Sequence, residues 1–298
     1  MSDVAVVIPS WNTRELLTEC LAALPSDVEV CVVDNASEDG SAERVEQDFP
    51  QVKLIRNAEN LGFARACNQG AEATAGRYVF LLNADARTND GVIETLATFL
   101  DEHPAYGAAA PRLLDPDGTT QRGCMAFPKL KTPMYFGSPL ERWFPNSPEL
   151  ERYFCRGFDH ERDADVQQPP AAALLVRREL YQELGGLDEE LWLFYNDVDF
   201  CKRMSARGML LRYLAEPTVF HVKGASTSQF VDFASEWHKN RLAYYRKHHG
   251  RLAGLWVKLC TALTWMDHVL RALGRRVRGE KIDPLYPLCR SFGNFLLS

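Results

Sequence analysis

The chain has 298 residues, 46% of them hydrophobic and 25% charged, with a formal net charge of −6. That is an ordinary globular composition, long enough for one large domain with an appendage, and it lacks the basic footprint expected of a nucleic-acid binder. Eight cysteines contain no Cys-x-x-Cys pair, the start carries no signal-peptide pattern, and no uncharged apolar run reaches the ~20 residues of a membrane span, so a reduced, cytoplasmic protein is expected.

The first hundred residues alternate strand and helix signals. VAVVIPS (4–10) is apolar and β-branched, and TRELLTECLAAL (13–24) follows at helical spacing, with Thr13 expected as its N-cap. VEVCVVDNAS (28–37), VKLIRN (52–57) and RYVFLLNAD (77–85) read as further strands. Between and after them, SAERVEQDF (41–49), FARACNQGAEAT (63–74) and VIETLATFLDEHP (92–104) read as helices. Strands spaced by such helices imply βαβ units and a parallel sheet covered on both faces. Residues 115–170, rich in Pro, Gly, Arg and aromatics, read as an irregular binding segment or lid. The loop around Trp143 and Phe144 suits either a cover for a ligand or a plain surface loop. Regular structure resumes over 171–190, then a helix over 196–208, an extended region over 209–222, and basic helical sequence from about 231.

The chemistry is expected at the carboxyl ends of the strands, where open α/β sheets bind ligands. Those ends are polar: Pro9-Ser10-Trp11-Asn12, Asp34-Asn35-Ala36-Ser37 and Asn83-Ala84-Asp85. One such corner is an ordinary turn, but three on one rim suit a nucleotide pocket, with Asp34 accepting from a base N–H or a ribose hydroxyl. Neither GxGxxG nor GxxxxGK[ST] is present, so a polyphosphate would be met otherwise, and a divalent cation on Asp85 is the natural candidate.

Six blocks carry a resemblance in order and spacing: VVIPSWN, VVDNASEDGS, ENLGFARACNQG, FLLNAD, GGLDEELWLFYNDVDFCKRMSARG and HVKGAS. Together they resemble the family 2 inverting glycosyltransferases of GT-A fold, in the bacterial rhamnosyltransferase-like branch, over roughly residues 3 to 225. The resemblance implies a Rossmann-like GT-A α/β fold with a mostly parallel central sheet, a nucleotide-diphospho-sugar donor, Mg²⁺ or Mn²⁺, and inversion by direct displacement. It implies that Asp34 meets the donor base, that Pro9, Ser10 and Asn12 line the nucleotide, and that Asn60, Gly62, Arg65 and Asn68 lie beneath the ribose and phosphates. Asn83 and Asp85 match the DxD-type motif with Asp85 as metal contact, and His221 matches a histidine that can be a further metal ligand. Asp197 falls at the catalytic base; the family's usual preceding Glu is here Asn196, which puts in doubt an acceptor contact or a tuning of the base. Trp192, Tyr195 and Asn196 are candidate acceptor contacts, with core packing an equal reading for the aromatics. Asp199 is expected to be structural, paired with Arg203.

The chemistry asks for two things: charge neutralisation on a departing diphosphate, and removal of the acceptor hydroxyl's proton by a single carboxylate. The reading is therefore a metal-dependent inverting hexosyltransferase acting on a glycan or polyprenyl-linked acceptor in cell-surface polysaccharide assembly. The alternative is a non-catalytic nucleotide-sugar-binding or scaffolding relative. Nucleotidyl transfer would call for a Gly-rich basic loop after the first strand, which is missing. The chain divides into a GT-A domain (1–228) and a basic amphipathic extension (229–298). Residues 238–281 carry eleven Lys and Arg against two acids, with apolar residues from Leu252 to Leu273 at three- and four-residue steps. That face is expected on the inner leaflet of the membrane; packing on the catalytic domain or on a second subunit, a homodimer, is the other reading.

Overall fold

The computed structural model describes residues 3–224, 233–278 and 295. The opening βαβ series forms as its pattern dictates: β1 (Val4–Ser10), α1 (Arg14–Ala22), β2 (Glu29–Asp34), α2 (Ser41–Asp48), β3 (Lys53–Arg56), α3 (Phe63–Glu72) and β4 (Tyr78–Leu82). The apolar runs are buried throughout β4 and almost throughout β1 and β2, as strands covered by helices on both faces require. Thr13 stands at the N-cap of α1, but its hydroxyl bonds Ser10 Oγ at 3.0 Å and makes no cap. Asp39 Oδ2 instead accepts from the Arg14 N–H at 2.8 Å.

The chain continues through β5 (Ala86–Thr88), α4 (Val92–Glu102) and β6 (Tyr106–Leu114). Three short helices follow, α5 (Thr132–Tyr135), α6 (Pro139–Trp143) and α7 (Pro148–Tyr153), then β7 (Ala164–Asp165), β8 (Ala173–Arg177), α8 (Arg178–Glu183), α9 (Asn196–Ala206), β9 (Leu210–His221), α10 (Phe233–His249) and α11 (Arg251–Val277). Nine strands make one sheet in the order β3-β2-β1-β4-β8-β6-β9-β5, with β7 on β9. β3, β2, β1 and β4 are parallel, β8 inverts, and β6 and β9 return to the first direction, so the sheet is mixed and mostly parallel. β1 lies between β2 and β4, which makes the β1/β4 boundary the point where strand order reverses.

The described chain forms two compact units. The first holds the whole sheet with α1–α4, α8 and α9. The second takes in residues 126–157 and 193–195 as well as the C-terminal helices, so it is more than the C-terminal extension, and the expected boundary at 228/229 lies outside the described residues. Within it the stretch expected to be irregular is held by side chains of α10 and α11. Tyr245 Oη donates to Lys129 O at 3.1 Å, Trp256 Nε1 to Leu130 O at 2.9 Å, and Thr264 Oγ1 to Gly137 O at 2.7 Å.

Candidate active site

The loops that follow β1 and β2 are stitched together. The Asn12 N–H donates to Ser37 Oγ at 2.9 Å and the Glu38 N–H to Asn12 Oδ1 at 2.8 Å. Asn12 and Ala36 both take positive φ, a conformation uncommon for an alanine and held here by these cross-links. Asp34, 3% exposed at the end of β2, accepts the Ser37 N–H on Oδ2 at 3.0 Å, while its Oδ1 is buried with no partner. An unmatched buried carboxylate oxygen is costly, so a donor supplied by a ligand or a water would be favoured at this oxygen. Ser10 and Pro9 end β1 beside it, in register with Asp34 and Val33.

On the other side of β1, Asn83 and Asp85 follow β4 and meet His221 at the end of β9. His221 Nε2 lies 3.3 Å from Asn83 Nδ2 and 3.4 Å from Asp85 Oδ1. The Val222 N–H donates to Asp85 O at 2.9 Å, and Ala86 pairs with His221 across β5 and β9. Gln121 decides the tautomer. Its Nε2 donates to His221 O at 2.7 Å and to Asp115 Oδ1 at 2.9 Å, so its Oε1, 3.1 Å from His221 Nδ1, must accept a proton held there. In the neutral ring Nε2 then carries the lone pair and accepts from the Asn83 amide at 3.3 Å, the form in which histidine binds metal. Asn83 Oδ1 is a second buried oxygen without a partner. No group of three or more His, Cys, Asp or Glu suited to a metal occurs among the described residues. The corner's own set, one carboxylate, one imidazole and one unmatched amide oxygen, fits a cation that takes its remaining ligands from phosphate.

The block from Asn60 to Asn68 serves mainly to hold neighbouring loops. Asn60 Oδ1 accepts the Gly62 N–H at 3.0 Å, and the Trp192 carbonyl accepts the Phe63 N–H at 2.8 Å, satisfying a free donor at the start of α3. Gly62 has φ +88°, and a Cβ there would be driven into the Trp192 ring and sit 2.6 Å from its carbonyl oxygen. Asn68 is fully engaged. Its Oδ1 accepts from Tyr181 Oη (2.7 Å) and the Leu187 N–H (2.9 Å), and its Nδ2 donates to Leu187 O (2.9 Å) and Glu189 (3.1 Å). Arg65 is half exposed and reaches Glu189 at 3.8 Å.

Asp197 opens α9. Its Oδ1 accepts the Val198 N–H at 2.7 Å and its Oδ2 an N–H of the Gln168 side chain at 3.3 Å. Burial pushes its pKa up, opposed by these bonds and by a backbone bond from Ala171. The next residue, Ala172, accepts the Asn83 N–H at 2.9 Å, so one short segment links the carboxylate to the Asn83–Asp85 corner. Asn196 is 2% exposed and donates to Leu191 O at 3.2 Å, while Tyr195, at φ +64°, packs with Trp237 and Tyr244 in the second unit. Asp199 is fully buried and paired with Arg203 at 2.7 Å, as its spacing implied. Gln121 and Gln168 escaped sequence reasoning, since neither sits in a periodic segment or beside a recognisable motif.

The model of the glycosyl transferase family 2 matches residues 5–185, more than half of the chain. The chain belongs to glycosyl transferase family 2. It is a glycosyltransferase of GT-A fold, and its relatives include rhamnosyltransferases. It is 27% identical over 250 residues to N-acetylglucosaminyl-diphospho-decaprenol L-rhamnosyltransferase of Mycobacterium tuberculosis, covering 77% of this chain and 79% of that one. It is 24% identical to the O-antigen biosynthesis protein RfbC of Myxococcus xanthus, covering 75% of this chain and 17% of RfbC. Among solved structures it resembles residues 1–349 of Staphylococcus aureus TarS in complex with UDP-GlcNAc, with a TM-score of 0.53 and 15% identity, covering 99% of this chain and 80% of that one. A TarS structure with UDP matches with a TM-score of 0.52 and 18% identity, over 81% and 66% of the two chains. At such identities the likeness speaks for the fold of this family 2 member, not for its donor.

Proposed function

We propose that this family 2 glycosyltransferase moves a hexose, with rhamnose the sugar named for its Mycobacterium tuberculosis relative, from a nucleoside diphosphate to a lipid-linked glycan with inversion. The observation that carries the reading is the pair of unmatched buried oxygens, Asp34 Oδ1 and Asn83 Oδ1, on the strands that flank β1. Asp34 would accept from the base or ribose of the donor. Asp85, His221 through Nε2, and Asn83 through Oδ1 would hold Mg²⁺ or Mn²⁺, which when bound supplies positive charge for the diphosphate. Asp197 would take the proton of the acceptor hydroxyl as its oxygen bonds the anomeric carbon and the bond from that carbon to the diphosphate breaks. One carboxylate acting as base, with no carboxylate acting as nucleophile, gives inversion.

A lipid-linked acceptor would bring the enzyme to a bilayer surface, and α11 supports that. No described helix is long and apolar enough to cross a membrane. Yet Leu252, Leu255, Leu259, Leu263, Met266, Leu270, Leu273 and Val277 are all large, apolar and 46–88% exposed. At ~100° per residue they fall within about 80° of arc, one straight stripe on a helix roughly 40 Å long. Arg251, Lys258 and Arg276 flank it on one side, Arg271 and Arg278 on the other. The acid beside the stripe, Asp267, is already paired with Arg142 and Arg271. A second copy laid on this stripe would oppose cation to cation in either orientation, whereas an anionic leaflet is complementary.

The test of the reaction is release of nucleoside diphosphate from a panel of nucleotide sugars, with N-acetylglucosaminyl diphosphate on a short polyprenol as acceptor. Turnover is expected with Mg²⁺ or Mn²⁺, lost on chelation, and lost in Asp197→Asn while donor binding by thermal shift persists. A chelator-resistant reaction would remove the metal from the account. Full activity in Asp197→Asn would remove the base.

A further inference from the structure

The side chain of Gln168 is enclosed beside Asp197. It is 6% exposed, its Nε2 donates to Asp197 Oδ2 at 3.3 Å, and its Oε1 is buried with no partner. Its backbone is pinned from two sides. Met125 bridges to it, with the Met125 N–H donating to Gln168 O at 2.8 Å. Pro169 and Pro170 follow, restricting its ψ to extended values, and Pro170 lies so close to Gly123 that no Cβ would fit there.

A chain selected for stability alone would put Leu or Met here. The amide buries an unmatched acceptor, which is unfavourable, and gains one hydrogen bond to a carboxylate that burial already disfavours as an anion. The amide therefore answers to Asp197. We propose that Gln168 is the positioning residue of Asp197, fixing the plane of its carboxylate and holding it in the anionic, proton-accepting form. The geometry is two-handed: the Val198 N–H takes Oδ1 at the start of α9 and the Gln168 amide takes Oδ2 from the pinned segment. Both donors are neutral, so the carboxylate is oriented without a cation that would weaken it as a base. The groups facing Asp197 from residues 168–171 are the Gln168 amide and the Ala171 N–H; on α9 the neighbouring titratable group is the Cys201 thiol, pushed up by burial first and by the Asp197 charge second.

This inference rests on Asp197 being the base, and its experiment separates the two. The carboxyl carbon of Asp197 is followed by NMR in protein labelled with ¹³C at aspartate carboxyl positions, its resonance assigned by disappearance in Asp197→Asn. In Gln168→Leu the midpoint is expected to rise by about one pH unit, because a bond to the charged form is lost. In Gln168→Glu it should rise further, as two carboxylates then share a site. The acid limb of kcat should move by the same amount, with KM for the donor unchanged and both variants still unfolding in one cooperative transition. An unmoved midpoint in both variants would overturn the positioning role even if Asp197→Asn is inactive. An active Asp197→Asn would overturn the base reading while leaving the titration result standing.

Discussion

Asp197 concentrates the conflict between stability and chemistry. Burial raises its carboxyl pKa above the ordinary value, so the folded protein keeps a proton that the unfolded chain releases at the same pH. Folding therefore binds protons between the unfolded pKa, ~3.9, and the raised folded one, and stability falls as pH rises through that window. Above the window the whole penalty of a buried anion is present. Asn carries no charge at any pH, so Asp197→Asn should melt higher than the wild type near pH ~8, with the difference shrinking toward pH ~4. Differential scanning calorimetry across that range checks it, and a variant that melts equally or lower at the alkaline end would show that the site does not strain the anion. Asn83 and Asp34 carry the same tension in another form, as buried oxygens that the chain itself leaves without a hydrogen-bond partner.

At the scale of elements, α3 begins where the Trp192 segment ends. The Trp192 carbonyl occupies the free N–H of Phe63, and Gly62 takes φ +88° against the indole. Gly62→Ala would meet both obstacles, a left-handed backbone and a collision with Trp192, at a cost of about 1–3 kcal/mol. Chemical denaturation should register that loss, and because Trp192 leads by four residues into Asn196 and α9, donor turnover should fall as well. A Gly62→Ala protein as stable as the wild type would mean the Trp192 segment moves aside freely. Asn68 does the parallel task further along α3, tying Tyr181, Leu187 and Glu189 together with four hydrogen bonds. The block thus holds the loop that leads to Asp197, the proposed base.

For the molecule as a whole, the proposed membrane association rests on the exposed stripe of α11. The purified protein should co-sediment with phosphatidylcholine vesicles containing phosphatidylglycerol, weaken as salt rises, and ignore pure phosphatidylcholine. Glu at Leu255, Leu259, Leu263 and Leu270, all exposed in the present fold, should abolish sedimentation and leave the melting temperature close to that of the wild type. If those changes instead turn a dimer into a monomer, with vesicle binding never observed, a second copy covers the stripe.

The βαβ series was legible because each strand and helix obeys a local period that burial on two faces imposes on sequence, and the three polar strand ends announced themselves as departures from that period. The amphipathic C-terminal helix was legible for the same reason. The sequence could not reveal β6, which is ordered by pairing with β8 and β9, or the three short helices in residues 132–153, where no long period exists and side chains of α10 and α11 hold the segment. Nor could it reveal Gln121 and Gln168, which lie 100 residues from His221 and 29 from Asp197 along the chain. Local pattern alone determined the βαβ elements, the amphipathic C-terminal helix and which corners are polar. Only the tertiary structure decided which distant amides orient the histidine and the carboxylate, because a hydrogen bond is directional and its partners are chosen by the fold.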